Sequence, residues 1–346
     1  MAEQMRAVFF HGPGDLRLAE TPIPSAGPGE IVVRIHTALT CGTDFKAYRQ
    51  GHPVLLARTP SPFGHEMAGT VSEVGAGVES VSLGERVVVL NSAPCERCMF
   101  CAEGTPELCD NLHLLNGAYA EYIRVPAHIT RQNVRSLPEH LSFATAALAE
   151  PFACALHAVD KMRLSPGETI AVIGAGNMAR LLICALQAAD ARILVLGRDA
   201  GRLQLALAAG ATEVIDLTQE SDGPAAIRRR TQGERGADGV IEAVGKSETW
   251  AMSVEMVRKG GRVCLFGGCA PGSRAEFDAH RIHYGEVSLF GVFHHRPTYV
   301  RQALELLARG AVPPELLIDR EISLEEVIPF FATNQTASPL KAAVLM

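Results

Sequence analysis

The hydrophobic pattern up to about residue 150 is that of a β-rich domain. Short apolar runs of strand length alternate with turns rich in glycine and proline, such as those at residues 26–29 and 75–77. The predicted strands cover residues 31–35, 70–74, 86–90 and 120–125. This spacing of short strands predicts a compact, barrel-like domain.

The pattern changes near residue 160, where apolar segments with helical periodicity begin to alternate with buried strands. Predicted strands lie at residues 169–173, 192–196, 214–215, 239–243, 262–266 and 287–290, and predicted helices at 177–189 and 203–209. Strands that alternate with helices predict a parallel, doubly wound α/β sheet. From residue 299 the chain returns to a helix and short strands, which could rejoin the first domain.

Length and composition narrow the class of protein. A chain of 346 residues is long for a single core, so two domains are expected. The net charge of −6 and the lack of a basic stripe argue against nucleic acid as a partner. No apolar run reaches the ~18 residues needed to span a bilayer, so no membrane association is expected. The N-terminus has no charged, apolar leader, and nine cysteines favour metal or catalytic use in a reducing, cytoplasmic compartment.

Four cysteines, Cys95, Cys98, Cys101 and Cys109, follow the pattern C-x2-C-x2-C-x7-C. This spacing can bring four thiolates around one tetrahedral metal, and a site closed by four thiolates is typical of structural zinc. The surrounding stretch is rich in Glu, Pro, Gly and Asn, and surface segments of this kind do not otherwise collect thiols. We therefore predict a structural Zn2+ site here.

A glycine-rich turn, Gly174-x-Gly176-x-x-Ala179, follows one predicted strand and opens a predicted helix. The first glycine permits the tight turn, the second lets the backbone approach a pyrophosphate, and the small third residue packs the helix against the strand. The first helical residues, Asn177 and Met178, add N–H groups and the positive end of the helix dipole. This context predicts dinucleotide binding.

The end of the second strand of this domain bears on which dinucleotide binds. An NAD site usually has an acidic residue there for the ribose hydroxyls, but this strand runs into Gly197 and Arg198. Gly197 leaves room for a 2′-phosphate, while Arg198 and, one turn later, Arg202 offer positive charge. We predict a preference for NADP(H) over NAD(H). The alternative is that Arg198 is a solvated turn residue and that Asp199 replaces the missing acid.

A second set of metal-binding side chains lies in the first domain. Cys41 precedes Gly-Thr-Asp, His65 and Glu66 stand in a Gly-His-Glu turn, and Glu150 stands in an Ala-Glu-Pro sequence. Three protein ligands with water in the fourth position is the arrangement of catalytic zinc. Spacing alone leaves open the alternative that each of these residues is structural.

These motifs, in this order, resemble the zinc-dependent medium-chain dehydrogenases/reductases, the alcohol dehydrogenase family, over nearly the whole chain. The likeness rests on the Gly-His-Glu turn, the four-cysteine lobe, the glycine fingerprint and the order of the domains. It implies an α/β protein with a GroES-like, β-rich catalytic domain at residues 1–155, to which residues 292–346 return, and a Rossmann doubly wound parallel sheet at 156–291. It also implies two zinc ions per chain and a homodimer or homotetramer.

The same resemblance implies the ligands of the catalytic zinc. Where alcohol dehydrogenases of this family carry a second cysteine ligand, this chain has Glu150, as in the sorbitol and threonine dehydrogenases. Cys41, His65 and Glu150 would then coordinate the ion, with Glu66 as an alternative or water-linked ligand. A carboxylate exchanges more readily than a thiolate, so we expect this zinc to leave before the structural one.

Further residues take roles from the resemblance. Thr43 would bond the substrate oxygen and start a proton relay, unless it is a satisfied turn hydroxyl. Asp44 would orient His65, a role compatible with capping a helix. Lys46 stands where many relatives have a proton-relaying histidine, so the exit of the proton is open. It could run through cofactor ribose and water, and His157 is either a participant or an ordinary helix histidine.

Two segments that contain glycine should border the nicotinamide ring, because small residues let the backbone approach it. They comprise Glu242, Ala243, Val244, Gly245, Phe266, Gly267 and Gly268. A polar cluster of His294, His295 and Arg296 follows a predicted strand, and we interpret it as interface or cleft-rim residues.

The resemblance therefore implies an oxidoreductase that transfers hydride between NADP(H) and a secondary alcohol or ketone. A polyol, sugar or cyclitol is the small-molecule substrate we expect. The nearest alternative is an amino-alcohol enzyme of the L-threonine 3-dehydrogenase kind, using NAD. A dinucleotide-binding redox sensor without catalysis is the remote alternative, which the presence of Cys41, His65, Glu66 and Glu150 disfavours.

Overall fold

The computed structural model describes residues 3–52, 55–334 and 340–346. The chain forms two compact units. Met1–Pro151 and His295–Met346 make up the first, and Phe152–His294 makes up the second. The first unit is therefore discontinuous in sequence, whereas the second is one continuous stretch.

Short strands dominate the first unit, and strands alternate with helices in the second. The strands are β1 (Gln4–Gly12), β2 (Asp15–Pro22), β3 (Ile31–Leu39), β4 (Ser61–Pro62), β5 (Glu66–Val74), β6 (Arg86–Val89), β7 (Ser92–Ala93), β8 (His113–Leu114), β9 (Tyr122–Val125), β10 (Val134–Ser136), β11 (Thr169–Ile173), β12 (Arg192–Gly197), β13 (Glu213–Asp216), β14 (Ala237–Glu242), β15 (Val257–Leu265), β16 (Ser288–Gly291), β17 (Arg320–Ser323) and β18 (Ala342–Leu345). The helices are α1 (Gly42–Gln50), α2 (Met99–Ala102), α3 (Ala127–Asn133), α4 (Phe143–Ala147), α5 (Ala149–Met162), α6 (Asn177–Gln187), α7 (Ala200–Ala208), α8 (Gly223–Arg229), α9 (Ser247–Met256), α10 (Ala279–Gly285), α11 (Pro297–Ala308) and α12 (Val327–Thr333). Within the described ranges, no helix combines the length and the apolar character needed to cross a membrane.

A seven-stranded sheet organises the first unit. Its strand order is β10-β6-β5-β3-β18-β17, and β9 also pairs with β3. Neighbouring strands are antiparallel, except for β17 and β18, which run parallel. Two smaller sheets, β2-β1-β4 and β7-β8, also belong to this unit.

Aromatic rings fill part of the core of the first unit. The ring centroid of Phe331, on α12, lies 4.3 Å from that of Phe45, 5.5 Å from that of Phe63 and 5.9 Å from that of Tyr119. All four side chains are buried. Each such pair stabilises the fold by about 0.5–1.5 kcal/mol beyond its buried area. The segment that follows the second unit is thus packed into the core of the first.

The register around β3 brings distant residues together. Leu39, the last residue of β3, pairs with Glu66 of β5 on one side and with Ala343 of β18 on the other. The residues after β3, before β5 and before β18 therefore meet at one edge of the sheet. Cys41, His65 and Lys341 occupy these three positions.

The second unit contains a six-stranded sheet in the order β13-β12-β11-β14-β15-β16. Every neighbouring pair is parallel, which confirms the prediction of a parallel, doubly wound sheet. From β11 the chain adds β12 and β13 on one side and then crosses back to add β14, β15 and β16 on the other side. The carboxyl end of β11 is therefore the switch point at which sheets of this kind bind ligands.

Two elements of the second unit begin at least three residues earlier than the sequence predicts. Helix α7 starts at Ala200 rather than at residue 203, because the Asp199 side chain accepts a hydrogen bond from the N–H of Arg202 (3.0 Å) and caps this end. Strand β15 starts at Val257 rather than at residue 262, and its first half contains charged residues and glycines, which as a sequence pattern indicate a turn.

The turn before β5 requires a glycine. Gly64 has a φ angle of +87°, and a Cβ atom added there would lie 2.8 Å from the ring of Tyr119. Gly77 has a similar φ angle of +80°, but no heavy atom lies within 4 Å of the corresponding position. A substitution at either glycine strains the backbone, but only a substitution at Gly64 also causes steric overlap.

We expect Gly64→Ala to lower the stability of the first unit more than Gly77→Ala does. The control substitution adds backbone strain of about 1 kcal/mol, whereas Gly64→Ala adds overpacking against Tyr119 of about 1–3 kcal/mol more. Differential scanning calorimetry of both variants measures the difference. Equal losses would contradict the close packing of Gly64 against Tyr119.

Candidate active site

Three side chains with metal-binding atoms meet at the end of β3. The sulfur of Cys41, a ring nitrogen of His65 and a carboxylate oxygen of Glu66 lie within 4.8 Å of one another. His65 and Glu66 are buried, and Cys41 is half-buried. The sheet register accounts for this proximity, because Cys41 follows β3 and Glu66 opens the neighbouring β5.

Cys41 is held at the N-terminus of α1. Its sulfur accepts a hydrogen bond from the N–H of Thr43 at 3.5 Å, and its own N–H donates to Oδ2 of Asp44 at 3.1 Å. This reciprocal capping orients the thiol, and the positive end of the helix dipole favours its thiolate. Burial nevertheless raises the pKa of Cys41, and the carboxylate of Glu66 adds to the shift. A cation at this position would stabilise the thiolate.

Asp44 fixes the ring of His65. Its Oδ1 lies 2.8 Å from Nδ1 of His65, and both side chains are almost fully buried. The other carboxylate oxygen accepts a hydrogen bond from the hydroxyl of Tyr119 at 2.6 Å. Burial lowers the pKa of His65, but Asp44 and Cys41 outweigh burial and raise that pKa well above its ordinary value. A carboxylate on one ring nitrogen is the arrangement that orients an imidazole toward a metal through the other.

Glu66 and Lys341 form a buried ion pair. Nζ of Lys341 lies 2.5 Å from Oε2 of Glu66 and also donates to the carbonyl oxygen of Thr40 at 2.9 Å. Burial raises the pKa of Glu66, and the positive charge of Lys341 opposes that shift. Removing one partner of such a pair leaves an uncompensated buried charge, at a cost of about 3–5 kcal/mol.

The surroundings of the second carboxylate oxygen of Glu66 show whether this group of side chains suits a cation. Oε1 is buried and has no hydrogen-bond partner among the described residues. A buried carboxylate oxygen is costly unless a donor or a cation faces it. A thiol, an imidazole and a carboxylate are donor types that zinc accepts. The residues present therefore fit the predicted ion.

Glu150, a further predicted ligand, lies outside the group of three that Cys41, His65 and Glu66 form. Its Oε1 is 4.0 Å from Nε2 of His295. Burial raises the pKa of Glu150 to about 7, against the opposing positive charge of His65. Its role as a metal ligand stays a prediction.

The four cysteines of the predicted structural site have sulfur atoms within 4.8 Å of one another. The sulfur of Cys98 is 3.5 Å from that of Cys101 and 3.8 Å from that of Cys109. Sulfurs about 2.3 Å from a tetrahedral zinc stand about 3.8 Å apart, so this spacing suits the ion. The N–H groups of Cys95 and Asn111 donate to the sulfur of Cys109 at 3.2 and 3.4 Å, as expected around a thiolate.

In the second unit, the glycine turn connects β11 to α6. Gly174 has a φ angle of +110°, and a Cβ atom there would lie 3.1 Å from Cγ2 of Val244. Gly176 is the N-cap of α6, and no side chain of the described residues caps this end, which leaves its first N–H groups for the phosphates of a ligand. The first turn of the helix comprises Asn177, Met178 and Ala179, the last of which is buried.

Glu242, at the end of β14, holds another predicted cofactor loop. Its buried carboxylate accepts hydrogen bonds from the N–H groups of Val244 (2.8 Å) and Gly245 (3.0 Å) and from the hydroxyl of Thr249 (2.7 Å). A Cβ atom on Gly267 would lie 2.3 Å from the nitrogen of Gly245, so the two loops pack backbone against backbone. The structure thus brings the segments 243–245 and 266–268 together, and their contact with nicotinamide stays a prediction.

At the end of β12, Gly197 is followed by the exposed Arg198. The Asp199 carboxylate caps α7 by accepting from the N–H of Arg202, and its Oδ2 lies 4.0 Å from Nε of Arg202. The cap engages Oδ1 of Asp199, and the alternative in which Asp199 replaces the missing acid of an NAD site stays open.

Thr43, Lys46 and His157, which the sequence analysis connects with proton transfer, differ from one another in burial and contacts. Thr43 lies in the first turn of α1, half-buried next to Cys41, and Lys46 is exposed on the same helix. His157 is fully buried in the second unit, where its Nδ1 lies 2.8 Å from the carbonyl oxygen of His294. That contact favours a structural role for His157 over participation in proton transfer.

Sequence analysis did not identify Lys341 and Tyr119, which contact the predicted metal-binding group through Glu66 and Asp44. Neither residue belongs to a local motif, and only tertiary packing brings them to this place. The one signal available for Lys341 is a positive charge directly before an apolar strand, β18.

Comparison with known proteins identifies the family. Residues 27–135 match the family model of the alcohol dehydrogenase GroES-like domain, and residues 164–309 match that of the zinc-binding dehydrogenases. Sorbitol dehydrogenase of Bacillus subtilis is 30% identical over 332 residues, which cover 94% of this chain and 92% of that protein. D-arabinitol dehydrogenase 1 of Uromyces fabae is 29% identical over 348 residues, which cover 99% of this chain and 97% of that protein.

Solved structures agree with this assignment. A zinc-binding dehydrogenase of Sinorhizobium meliloti 1021, bound to NADP, matches with a TM-score of 0.92 and 30% identity, over 99% of this chain and 100% of that one. The family, the GroES-like and Rossmann folds and the enzyme class predicted from the motifs are confirmed. The chain therefore belongs to the zinc-dependent medium-chain alcohol dehydrogenases, in the branch that resembles the sorbitol dehydrogenases.

Proposed function

We propose that this enzyme transfers hydride between NADP(H) and a secondary alcohol or the matching ketone, with a polyol, sugar or cyclitol as substrate. The observation that carries the proposal is the group of Cys41, His65 and Glu66, in which His65 and Glu66 are buried and Oε1 of Glu66 has no partner among the described residues. The chain also carries a parallel sheet of the dinucleotide-binding type. A polarising cation and a hydride acceptor are the two parts that alcohol oxidation requires.

A zinc ion held by the predicted ligands would supply Lewis-acid polarisation of the substrate oxygen. The protein contributes the orientation of those ligands. Asp44 accepts hydrogen bonds from Tyr119 and Cys41, and these bonds fix the carboxylate that orients His65. Because these side chains are largely buried, the ring of His65 is held in one orientation.

Lys341 balances charge at the centre. The proposed ligands Cys41, Glu66 and Glu150, when ionised, carry one negative charge more than a divalent cation neutralises. Lys341 is buried and bonded to Glu66, so its ammonium group supports the ionised carboxylate. Thr43, in the first turn of α1, is the hydroxyl we propose for accepting the proton of the alcohol.

The preference for NADP(H) is supported by the end of β12. Gly197 and Arg198 replace an acidic residue there, and Asp199 is engaged in capping α7. A guanidinium group offers paired donors to a 2′-phosphate. The Sinorhizobium meliloti relative was solved with NADP.

The substrate class is supported by the relatives. The Bacillus subtilis and Uromyces fabae proteins are named for sorbitol and D-arabinitol, which are both polyols. A cytoplasmic location is supported by the state of the nine cysteines, all in the described part of the chain, none of which forms a disulfide. Two zinc ions per chain and a homodimer or homotetramer complete the proposal.

A substrate panel tests the function. We expect the purified enzyme to oxidise at least one of sorbitol, xylitol and D-arabinitol, and to do so faster with NADP+ than with NAD+. L-Threonine serves as the contrasting substrate. Turnover of threonine alone would contradict the polyol class, and dinucleotide binding without any turnover would contradict catalysis.

Arg198→Gln tests the cofactor preference. Losing a paired, charge-assisted contact should lower kcat/KM for NADP+ roughly tenfold or more and leave that for NAD+ nearly unchanged. Arg235→Gln is the matched control, because Arg235 precedes β14, and the parallel sheet places it at the edge opposite the end of β12. Steady-state kinetics with both dinucleotides measures the effect. If Arg198→Gln lowered kcat/KM equally for NADP+ and NAD+, the assignment of Arg198 to the 2′-phosphate would be wrong.

Lys341→Met tests the charge balance at the catalytic centre. Without the ammonium group, the buried carboxylate of Glu66 binds a proton more readily and holds zinc less firmly. We expect dialysis against a mild chelator to remove one of two zinc ions more completely from this variant than from the unmodified enzyme, as measured by metal analysis.

Lys259→Met, at an exposed position of β15, makes the same chemical change and should leave zinc retention unaltered. Lys341→Arg keeps the charge and should retain more zinc than Lys341→Met. Circular dichroism checks that each variant is folded. Identical retention in folded Lys341→Met and Lys259→Met would show that Lys341 does not support the metal.

A further inference from the structure

A cavity of about 550 Å³ lies in the first unit, next to the four-cysteine lobe. It is separate from the group of Cys41, His65 and Glu66, none of which lines it. Four arginines line it, Arg131, Arg135, Arg296 and Arg301, together with a single acidic residue, Glu96. A cavity of this volume accommodates a small molecule.

Two of the four arginines have acidic partners. Arg131 forms an exposed ion pair with Glu96. Nη2 of Arg296 donates to Oε1 of the buried Glu107 at 2.6 Å. The positive charges of these two side chains are therefore compensated within the protein.

The other two arginines have no acidic partner among the described residues. Arg135 donates to the carbonyl oxygens of Val134, at 2.9 Å, and of Gln132, and its Nε is buried without a hydrogen bond. Burial lowers the pKa of Arg135, and the positive charge of Arg301 lowers it further. Two guanidinium groups that repel each other on the wall of one cavity create a positive region that an anion would relieve.

Helix α11 adds to the same positive region. Its 12 residues begin at Pro297, no side chain of the described residues caps this end, and both Pro297 and Thr298 line the cavity. The N-terminus of a helix carries partial positive charge and N–H groups that suit phosphate. The helix end and the two uncompensated arginines thus favour the same kind of ligand.

The cavity arginines do not donate hydrogen bonds to the sulfur atoms of the cysteine lobe, among the described residues. Cys101 lines the cavity, but among the described residues no cavity arginine donates a hydrogen bond to a cysteine sulfur. The donors to the sulfur of Cys109 include the backbone N–H groups of Cys95 and Asn111. The guanidinium groups of Arg135 and Arg301 are therefore not held by hydrogen bonds to the cysteine lobe.

We propose that this cavity binds a small phosphate-bearing molecule, and that Arg135 and Arg301 hold its phosphate group. Guanidinium groups present paired donors that match phosphate oxygens. A phosphate group fills only part of about 550 Å³, so the rest of the molecule has room in the same cavity. The site lies wholly within the first unit and does not depend on the hydride transfer proposed above.

Isothermal titration calorimetry with pyrophosphate tests the proposal on the full chain. NADP+ and NAD+ are present in excess, so that the probe cannot occupy the dinucleotide site. We expect binding that Arg301→Gln weakens roughly tenfold. Arg301 is exposed, so its replacement should not affect folding, and Arg135→Gln provides a second variant with the same expectation.

Arg309→Gln is the matched control, since it removes the same charge at the opposite, C-terminal end of α11. It should leave pyrophosphate binding unchanged. No binding to the unmodified chain under these conditions would overturn the proposal, as would equal weakening by Arg309→Gln and Arg301→Gln. Tighter binding of malonate than of pyrophosphate would overturn the assignment to phosphate.

Discussion

The position of β3 in its sheet is the constraint on which the chemistry of the first unit depends. Leu39 pairs with Glu66 on one side and Ala343 on the other, so a single strand end gathers residues from three remote parts of the chain. Side chains alternate between the faces of a sheet, and a slip of one residue would turn Glu66 to the opposite face. The aromatic core of the same unit packs Phe331 of α12 against Phe45, which lies on the helix that follows β3, and against Phe63, which lies just before β5.

The charges at this strand end are buried but arranged in pairs. Asp44 faces His65 and Glu66 faces Lys341, and each of these side chains is nearly inaccessible to solvent. Burying a charge costs several kcal/mol, and pairing offsets that cost only partly. Clusters of this kind, with strongly shifted pKa values, concentrate at functional sites. The unpartnered oxygen of Glu66 makes this group different from a purely structural ion-pair network.

Local sequence signals were enough to predict the sheet of the second unit. Each of its strands contains a short apolar run, and the run from Thr169 to Ile173 leads directly into the glycine turn at Gly174. The charged first half of β15 gave no such signal. The start of α7 was missed because a single capping residue, Asp199, decided it. The motifs of the first unit, together with the glycine fingerprint of the second and the order of the domains, identified the family.

The contacts within the centre could not be predicted in the same way. Lys341 meets Glu66 across 275 positions of sequence, and a lone lysine gives no local sign of such a partner. The grouping of Cys41, His65 and Glu66 without Glu150 is also a matter of distances, which spacing along the chain does not determine. Motifs identify the types of side chain, whereas the sheet register decides which of them meet.

The discontinuity of the first unit has a consequence for biosynthesis. Residues 152–294 form one uninterrupted stretch and can fold as soon as they leave the ribosome. Residues 1–151 cannot complete the first unit until later, because β18 and Phe331 are translated only after residues 152–294. Until then, the carboxylate of Glu66 has no ammonium partner and the nascent aromatic core lacks its central ring. The second unit can therefore complete its fold before the first unit does, although translation of the first unit begins earlier.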